Sequence, residues 1–177
     1  MSAGVRPPER LTGVWTVLPG SARAAFRVRD KLVGHASGTI PVRSGTVRLG
    51  PGGAVESARL ELDAAAIDTG NAHRERDLRT PRLLATGDHP LIVVEAGPAP
   101  LRGPGWVVPA TLTARGAAAP VELTVTLDAA DEAGVASEPA VTVRVTGRLD
   151  RSPLGLRAPA VLIGRIVELD ARLTLRR

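Results

Sequence analysis

The chain has 177 residues, 44% of them hydrophobic, enough for one continuous core and too apolar for a disordered chain. The absence of Cys excludes disulfides and thiolate chemistry, and an aromatic content of 2% leaves no stacking platform for nucleobases. The net charge of +5 is carried by Arg, with Lys31 the only Lys. Most Arg residues alternate with apolar residues or stand beside acids, as in Arg59-Leu60-Glu61, which describes the wet face of a strand rather than a basic arm. Specific nucleic-acid binding is therefore not expected.

In chain order, residues 1–10 read as a flexible N-terminal tail and residues 11–177 as one domain with no internal repeat or linker. The tail lacks the apolar stretch of a signal peptide, and no segment reaches the about 20 apolar residues that cross a bilayer as a helix, so a cytoplasmic location is expected. Ala24, Phe26 and Val28 alternate with Arg residues, and Leu60 and Leu62 alternate with Arg59, Glu61 and Asp63. Ile92 and Val94, then Val108 and Leu112, continue the series. Val121 to Leu127, Val141 to Thr146 and Val167 to Arg176 are apolar at every second position. That period belongs to strands with one dry and one wet face. Turn signals stand between the runs: Pro19-Gly20, Gly50 to Gly53, Gly97-Pro98, Gly103 to Gly105 and Ala133-Gly134. The count is about eight strands, and the long C-terminal strand would leave an exposed edge in an open sheet. The expected fold is all-β, a single antiparallel barrel with a short helical loop insertion.

That insertion is the stretch from Asp68 to Gly87, which has no alternation and is rich in charge. Asp68 or Thr69 is placed to cap a short helix, and Pro81 to open another helical turn. A long non-strand segment in an all-β chain suits a lid or a barrel mouth.

Ala66-Ile67-Asp68-Thr69-Gly70-Asn71, followed by Arg74-Glu75, Leu78-Arg79-Thr80 and His89-Pro90, resembles the central signature of the YceI-like family. Trp15 with Phe26-Arg27-Val28 is similar to its opening strands. Leu112 to Gly116 with Pro120 to Leu123 is similar to a strand, Arg-Gly turn, strand element. Gly147 to Ser152 with Leu154-Gly155, then Val167 to Leu169, is similar to its closing region. The chain departs from the family at Leu83-Leu84, where aromatic pairs are usual, at Val94 where Phe is common, and at Asp77 and Pro153. The resemblance implies a lipocalin-like barrel, with a polyisoprenoid or related long-chain lipid such as an isoprenoid quinone as ligand.

The residues themselves offer little for catalysis. His35, His73 and His89 have no metal-ligand spacing and no Cys to complete a site, and no nucleophile elbow is present. Neither catalytic nor metal-binding residues are assigned, and no cofactor is expected beyond a bound isoprenoid-type lipid as ligand. The candidate barrel lining is Phe26, Val28, Leu60, Leu62, Leu83, Leu84, Ile92, Val94, Val108, Leu112, Leu123, Val125, Val143, Val145, Leu169 and Leu173. Eight strands enclose a lumen that side chains can just fill or leave as one ligand cavity, and small aliphatic side chains favour the cavity. Candidates for the mouth or a head group are Asn71, Arg74, Arg79 and Arg82. The Arg residues fit a phosphate or carboxylate as well as they fit Glu75, Asp77 or Asp88.

The function expected from these features is non-catalytic: a carrier, reservoir or sensor whose partner is a long-chain apolar small molecule. An enzyme using the barrel as an apolar reaction chamber is one alternative, and a ligand-free structural or interaction barrel the other. A homodimer is left open.

Overall fold

Period-two segments in this chain hydrogen-bond into a single sheet of nine strands, as described by a computed structural model covering residues 11–18, 20, 22–30, 34–128, 140–157 and 163–177. The strands are β1 (Gly13–Val17), β2 (Arg23–Asp30), β3 (Gly34–Leu49), β4 (Val55–Asp63), β5 (Leu91–Ala96), β6 (Gly105–Ala114), β7 (Ala117–Leu127), β8 (Ala140–Asp150) and β9 (Ile163–Arg176). All pairings are antiparallel, and β3 pairs with β4, so the sheet closes into a barrel of eight positions. Closure removes the edge that the long strand β9 would otherwise expose.

Nine strands fit eight positions because β1 and β2 share one. Both pair with β3 and with β9, β2 over their halves near Gly34 and Ile163 and β1 over the opposite halves near Leu49 and Arg176. This requires two long flanking strands, and β3 and β9 run to 16 and 14 residues. Where β1 approaches, Gly45 is buried; a Cβ there would meet Leu60 Cδ2 at 2.4 Å and Val17 Cγ2 at 2.6 Å. Register shifts beside it, between Val42 and Ser44 and between Arg48 and Leu49, bend β3 around the barrel.

The barrel therefore has two ends. One, here called the tryptophan end, carries β1, the β3–β4 turn and the β5–β6 connection. The other, the loop end, carries the β2–β3, β4–β5, β6–β7 and β8–β9 connections. The turn at Gly50 to Gly53 forms a 3-10 turn over Pro51–Gly53. Pro19, Ala133-Gly134 and the tail at residues 1–10 lie outside the described residues.

The Asp68 to Gly87 insertion is the β4–β5 connection and contains one helix, α1 (Ala72–Leu78). Its cap is Asn71, whose side chain accepts from Arg74 N, and neither Asp68 nor Thr69. Both expected caps are engaged elsewhere. Asp68 accepts from Gly70 N at 2.9 Å, and Thr69 N donates to Glu75 Oε1 at 2.8 Å. Pro81 opens a turn and not a second helix.

Burial follows the alternation. On β6, Trp106, Val108, Ala110 and Leu112 are buried, while Val107, Pro109 and Thr111 are exposed. Charged residues take the outer positions, where Arg144 pairs with Asp170 at 2.7 Å and Arg172 with Asp128 at 3.3 Å. Val143→Asp puts an unpaired carboxylate on the dry face and is expected to cost several kcal/mol or to abolish folding. Arg172→Ser removes one exposed ion pair, with an expected change of about 0.2–1 kcal/mol in urea unfolding. Similar losses from both would invert the assignment of strand faces.

Candidate functional site

The lumen is neither solid nor wide. Among the described residues it holds two cavities, one of about 80 Å³ at the tryptophan end and one of about 100 Å³ toward the loop end. Five residues, Leu60, Val94, Leu123, Val145 and Leu173, line both and form a waist between them. Trp15, Val47, Leu49, Val55, Ala58, Trp106, Val108, Val125, Val141 and Val143 belong to the first chamber. Ala24, Phe26, Ile40, Val42, Leu62, Ile92, Leu112, Val121, Leu169 and Ala171 belong to the second. Among the described residues the one titratable group along the second wall, Asp170, accepts from Arg144 on the outer face. The lumen thus presents hydrocarbon and indole surface, suited to an aliphatic guest.

The two tryptophans close one end. Trp15 is 1% exposed and donates from Nε1 to Leu11 O at 2.7 Å; Trp106 is 5% exposed and donates to Gly53 O at 2.8 Å. Each indole buries a large ring without leaving its N–H unpaired, so this floor is both apolar and satisfied.

At the loop end, the insertion crosses the barrel. Its first residues pair with β3 through Thr39 N to Asp68 O and Asp68 N to Thr39 O, at 2.8 and 2.9 Å. That approach fixes Gly38, where a Cβ would lie 2.6 Å from Asp68 O and 2.7 Å from the Phe26 ring. Arg115, in the β6–β7 turn with φ of 47°, donates to Gly155 O and, at 2.9 Å, to Pro81 O. Arg157 N donates to Arg82 O at 2.9 Å. The connections at this end are thus bound to one another.

The mouth candidates separate on inspection. Asn71 is the helix cap. The Arg74 guanidinium lies 3.6 Å from Asp30, and Arg79 Nε donates to Ala65 O at 2.9 Å. The Arg82 side chain is exposed and has no bonding partner among the described residues. Of the candidate lining, Val28, Leu83 and Leu84 border neither chamber. Val28 is half-buried near the β2–β3 end, and Leu84 is buried within the insertion, its N–H on Leu78 O. The other candidates line one chamber or both. Sequence reasoning missed the floor, Trp15 and Trp106, and the whole β3 contribution, Ile40, Val42, Val47 and Leu49. The only aromatic residues besides Phe26 were a usable signal for the floor.

Electrostatics are concentrated at the β8–β9 connection. Arg151, buried, donates to Gly164 O and Ile163 O, each at 2.8 Å, and burial lowers its pKa. Asp150 accepts from Ser152 N at 2.9 Å and lies 3.0 Å from Arg165. Hydrogen bonding from Ser152, chiefly, holds its carboxyl at about 2, below the ordinary 3.8.

A YceI-like domain is matched over residues 15–175. The chain belongs to the YceI-like family. Among solved structures, this YceI-like domain is similar to BcnA of Burkholderia cenocepacia, with a TM-score of 0.72 at 17% identity over 89% of this chain and 98% of that one. It is also similar to a polyisoprenoid binding domain from Saccharophagus degradans implicated in plant cell wall breakdown, with a TM-score of 0.64 at 16% identity, covering 92% and 97% of the two chains. A Campylobacter jejuni YCEI protein gives a TM-score of 0.64 at 14% identity over 74% of this chain and 78% of its own. At these identities the likeness is one of fold. A search of curated proteins gives no match. No helix among the described residues is long and apolar enough to cross a membrane.

Two outcomes are expected. Trp106→Ala should cost about 3–5 kcal/mol in chemical unfolding, the range for emptying a buried indole site. Because the Asp150 pKa is depressed, its contribution is complete above 3.8 and is lost as pH falls toward about 2. Asp150→Asn should therefore flatten the dependence of stability on pH within that window, while above it the loss of stability is constant with pH.

Proposed function

We propose that this YceI-like domain is a non-catalytic carrier or sensor that holds one long-chain apolar lipid, of polyisoprenoid or isoprenoid-quinone type, along its lumen. The observation that carries this reading is a closed barrel whose two chambers are apolar, unfilled by side chains and separated only by them. The similarity to a domain named for polyisoprenoid binding supports the ligand class. The reaction-chamber alternative needs an acid or histidine turned into the lumen, whereas the side chains facing these chambers are hydrocarbon or indole.

Chamber size sets how the ligand binds. A dry cavity of about 150 Å³ takes a benzene-sized guest, so either chamber alone accepts only a short stretch of chain. A long ligand must thread both and turn the Leu and Val side chains of the waist aside. Each methylene brought out of water gains about 0.8 kcal/mol, against association costs of about 4–15 kcal/mol. Binding should therefore strengthen steeply with chain length and be weak for short fatty acids. In this reading the Asp68 to Gly87 insertion controls entry, and Arg82 or Arg79 meets an anionic head.

Native mass spectrometry of the full chain before and after organic extraction tests the reading, with loss or uptake of about one apolar molecule per chain as the expected result. A protein that releases nothing and takes up no added polyprenol overturns it. Val145→Phe should fill the waist and lower affinity for a long polyprenol by about tenfold or more, while a short-chain analogue is spared. Arg79→Met should weaken an anionic-headed ligand by about ten- to hundredfold and leave its neutral analogue unchanged. Equal loss for the two analogues would assign Arg79 to the fold, through its bond to Ala65 O.

A further inference from the structure

On the outside of the barrel, at the loop end, four strands present a shallow depression of about 300 Å³ lined by Arg27, Arg29, His35, Arg148, Arg165, Ile166 and Glu168, with Gly164 between. The pairing places these residues side by side. Arg29 faces His35 across β2 and β3, Arg27 faces Glu168 across β2 and β9, and Arg148 faces the same Glu168 from β8. Four guanidiniums thus share the depression with one carboxylate. Arg165 is paired with Asp150 at 3.0 Å, but Arg27, Arg29 and Arg148 are in no ion pair among the described residues. Arg27 donates to His35 Nδ1 at 3.1 Å, an arrangement that uses the imidazole as an acceptor. An outer strand face normally interleaves charges and pairs them, as Arg144 and Asp170 do on the same two strands β8 and β9.

A second feature lies in the same depression. Ile166 is 39% exposed on this polar face, surrounded by the Arg residues. An isolated apolar side chain among cations gains nothing from a small dissolved anion, and the patch has no aromatic residue to stack a base. It matches a surface that is anionic outside and hydrocarbon beneath. A third feature is position. Along the same strands, the residues between the patch positions point inward: Val28 lies between Arg27 and Arg29, Val167 between Ile166 and Glu168, and Leu149 next to Arg148. The patch is the outer side of the wall whose inner side leads from the loop end toward the second chamber.

We propose that Arg27, Arg29, Arg148 and Ile166 form a docking surface for an anionic phospholipid bilayer, which brings the loop end of the barrel against the membrane. The guanidiniums bind phosphodiester head groups, and Ile166 enters the interface between them. Docking does not depend on the lumen being a lipid site, but it supplies what such a carrier needs, a fixed orientation toward the phase in which its guest dissolves.

The test is co-flotation of the full chain with vesicles of phosphatidylcholine alone or mixed equally with phosphatidylglycerol. Binding is expected to the mixed vesicles only and to weaken as salt rises. Each Arg near an anionic surface is worth about fivefold in partitioning, so Arg29→Ser with Arg148→Ser should lower it by about thirtyfold. The same two positions changed to Lys should retain most of it. Arg48→Ser with Arg102→Ser, which removes as much charge from exposed positions at the tryptophan end, should change it less than about twofold. Ile166→Ser should weaken binding at constant charge. Melting curves and native mass spectra of each variant establish that fold and lumen contents are unchanged, so failure of docking and failure of the lipid-carrier reading are seen separately. Three results overturn the proposal: no preference for anionic vesicles, equal losses in the two Arg-to-Ser pairs, or displacement by inorganic phosphate at matched ionic strength, which would make the depression a small-anion pocket.

Discussion

The pairing of β3 with β4 governs everything inside this molecule. An open sheet can adjust its curvature until its dry face is filled, but a closed one cannot narrow without breaking the ladder that defines it. The bore is set by eight strand positions, and the side chains available to fill it are mostly Val, Leu, Ile and Ala, with Trp15, Trp106 and Phe26 as the aromatic exceptions. Void is the result. At about 24 cal/mol per Å³, chambers of about 80 and 100 Å³ each cost about 2 kcal/mol relative to a filled lumen. A guest that occupies them recovers that cost together with its own transfer out of water. The apolar emptiness that a stability-optimised core would avoid is what makes the lumen receptive.

Much of this could be read from the sequence, for an identifiable reason. Strands β7 and β8 carry unbroken alternation because both of their neighbours are long and regular, β9 keeps it from Val167 to Arg176, and their inward residues, Leu123, Val125, Val143, Val145, Leu169 and Leu173, line the chambers. Strand β3 was invisible. Its sequence holds Gly38 and Gly45, required where Asp68, the Phe26 ring and β1 approach the backbone, with Pro41 between and register shifts beyond. Those demands erase the pattern that would announce the longest strand. The insertion was legible as a break in rhythm but not in its details. Which of Asp68, Thr69 and Asn71 caps α1 depends on the pairing of Asp68 with Thr39, a contact between residues far apart in sequence.

The Arg content also takes on a different meaning. At the loop end these side chains serve backbone carbonyls as much as carboxylates: Arg151 reaches Gly164 and Ile163, Arg115 reaches Gly155 and Pro81, and Arg79 reaches Ala65. A planar guanidinium offers several donors in fixed directions, so one residue can satisfy two irregular segments at once; an ammonium presents a single point of charge. At these three positions Lys could not take the place of Arg without losing part of that bonding. The basic isoelectric point follows in part from how the connections are fastened.

The placement of the aromatic residues has an optical consequence. The chain has two Trp and no Tyr, and both indoles form the floor of the chamber farther from the loop end. Intrinsic fluorescence excited anywhere in the near ultraviolet therefore originates at one depth of the lumen. A guest confined to the outer chamber, on the Phe26 side, leaves the emission nearly untouched. One that passes the waist replaces void with matter directly against the emitters, changing their intensity, and a conjugated quinone ring arriving there would quench them. Under the proposed function, the two indoles would serve as a depth gauge for how far along the barrel a chain had advanced.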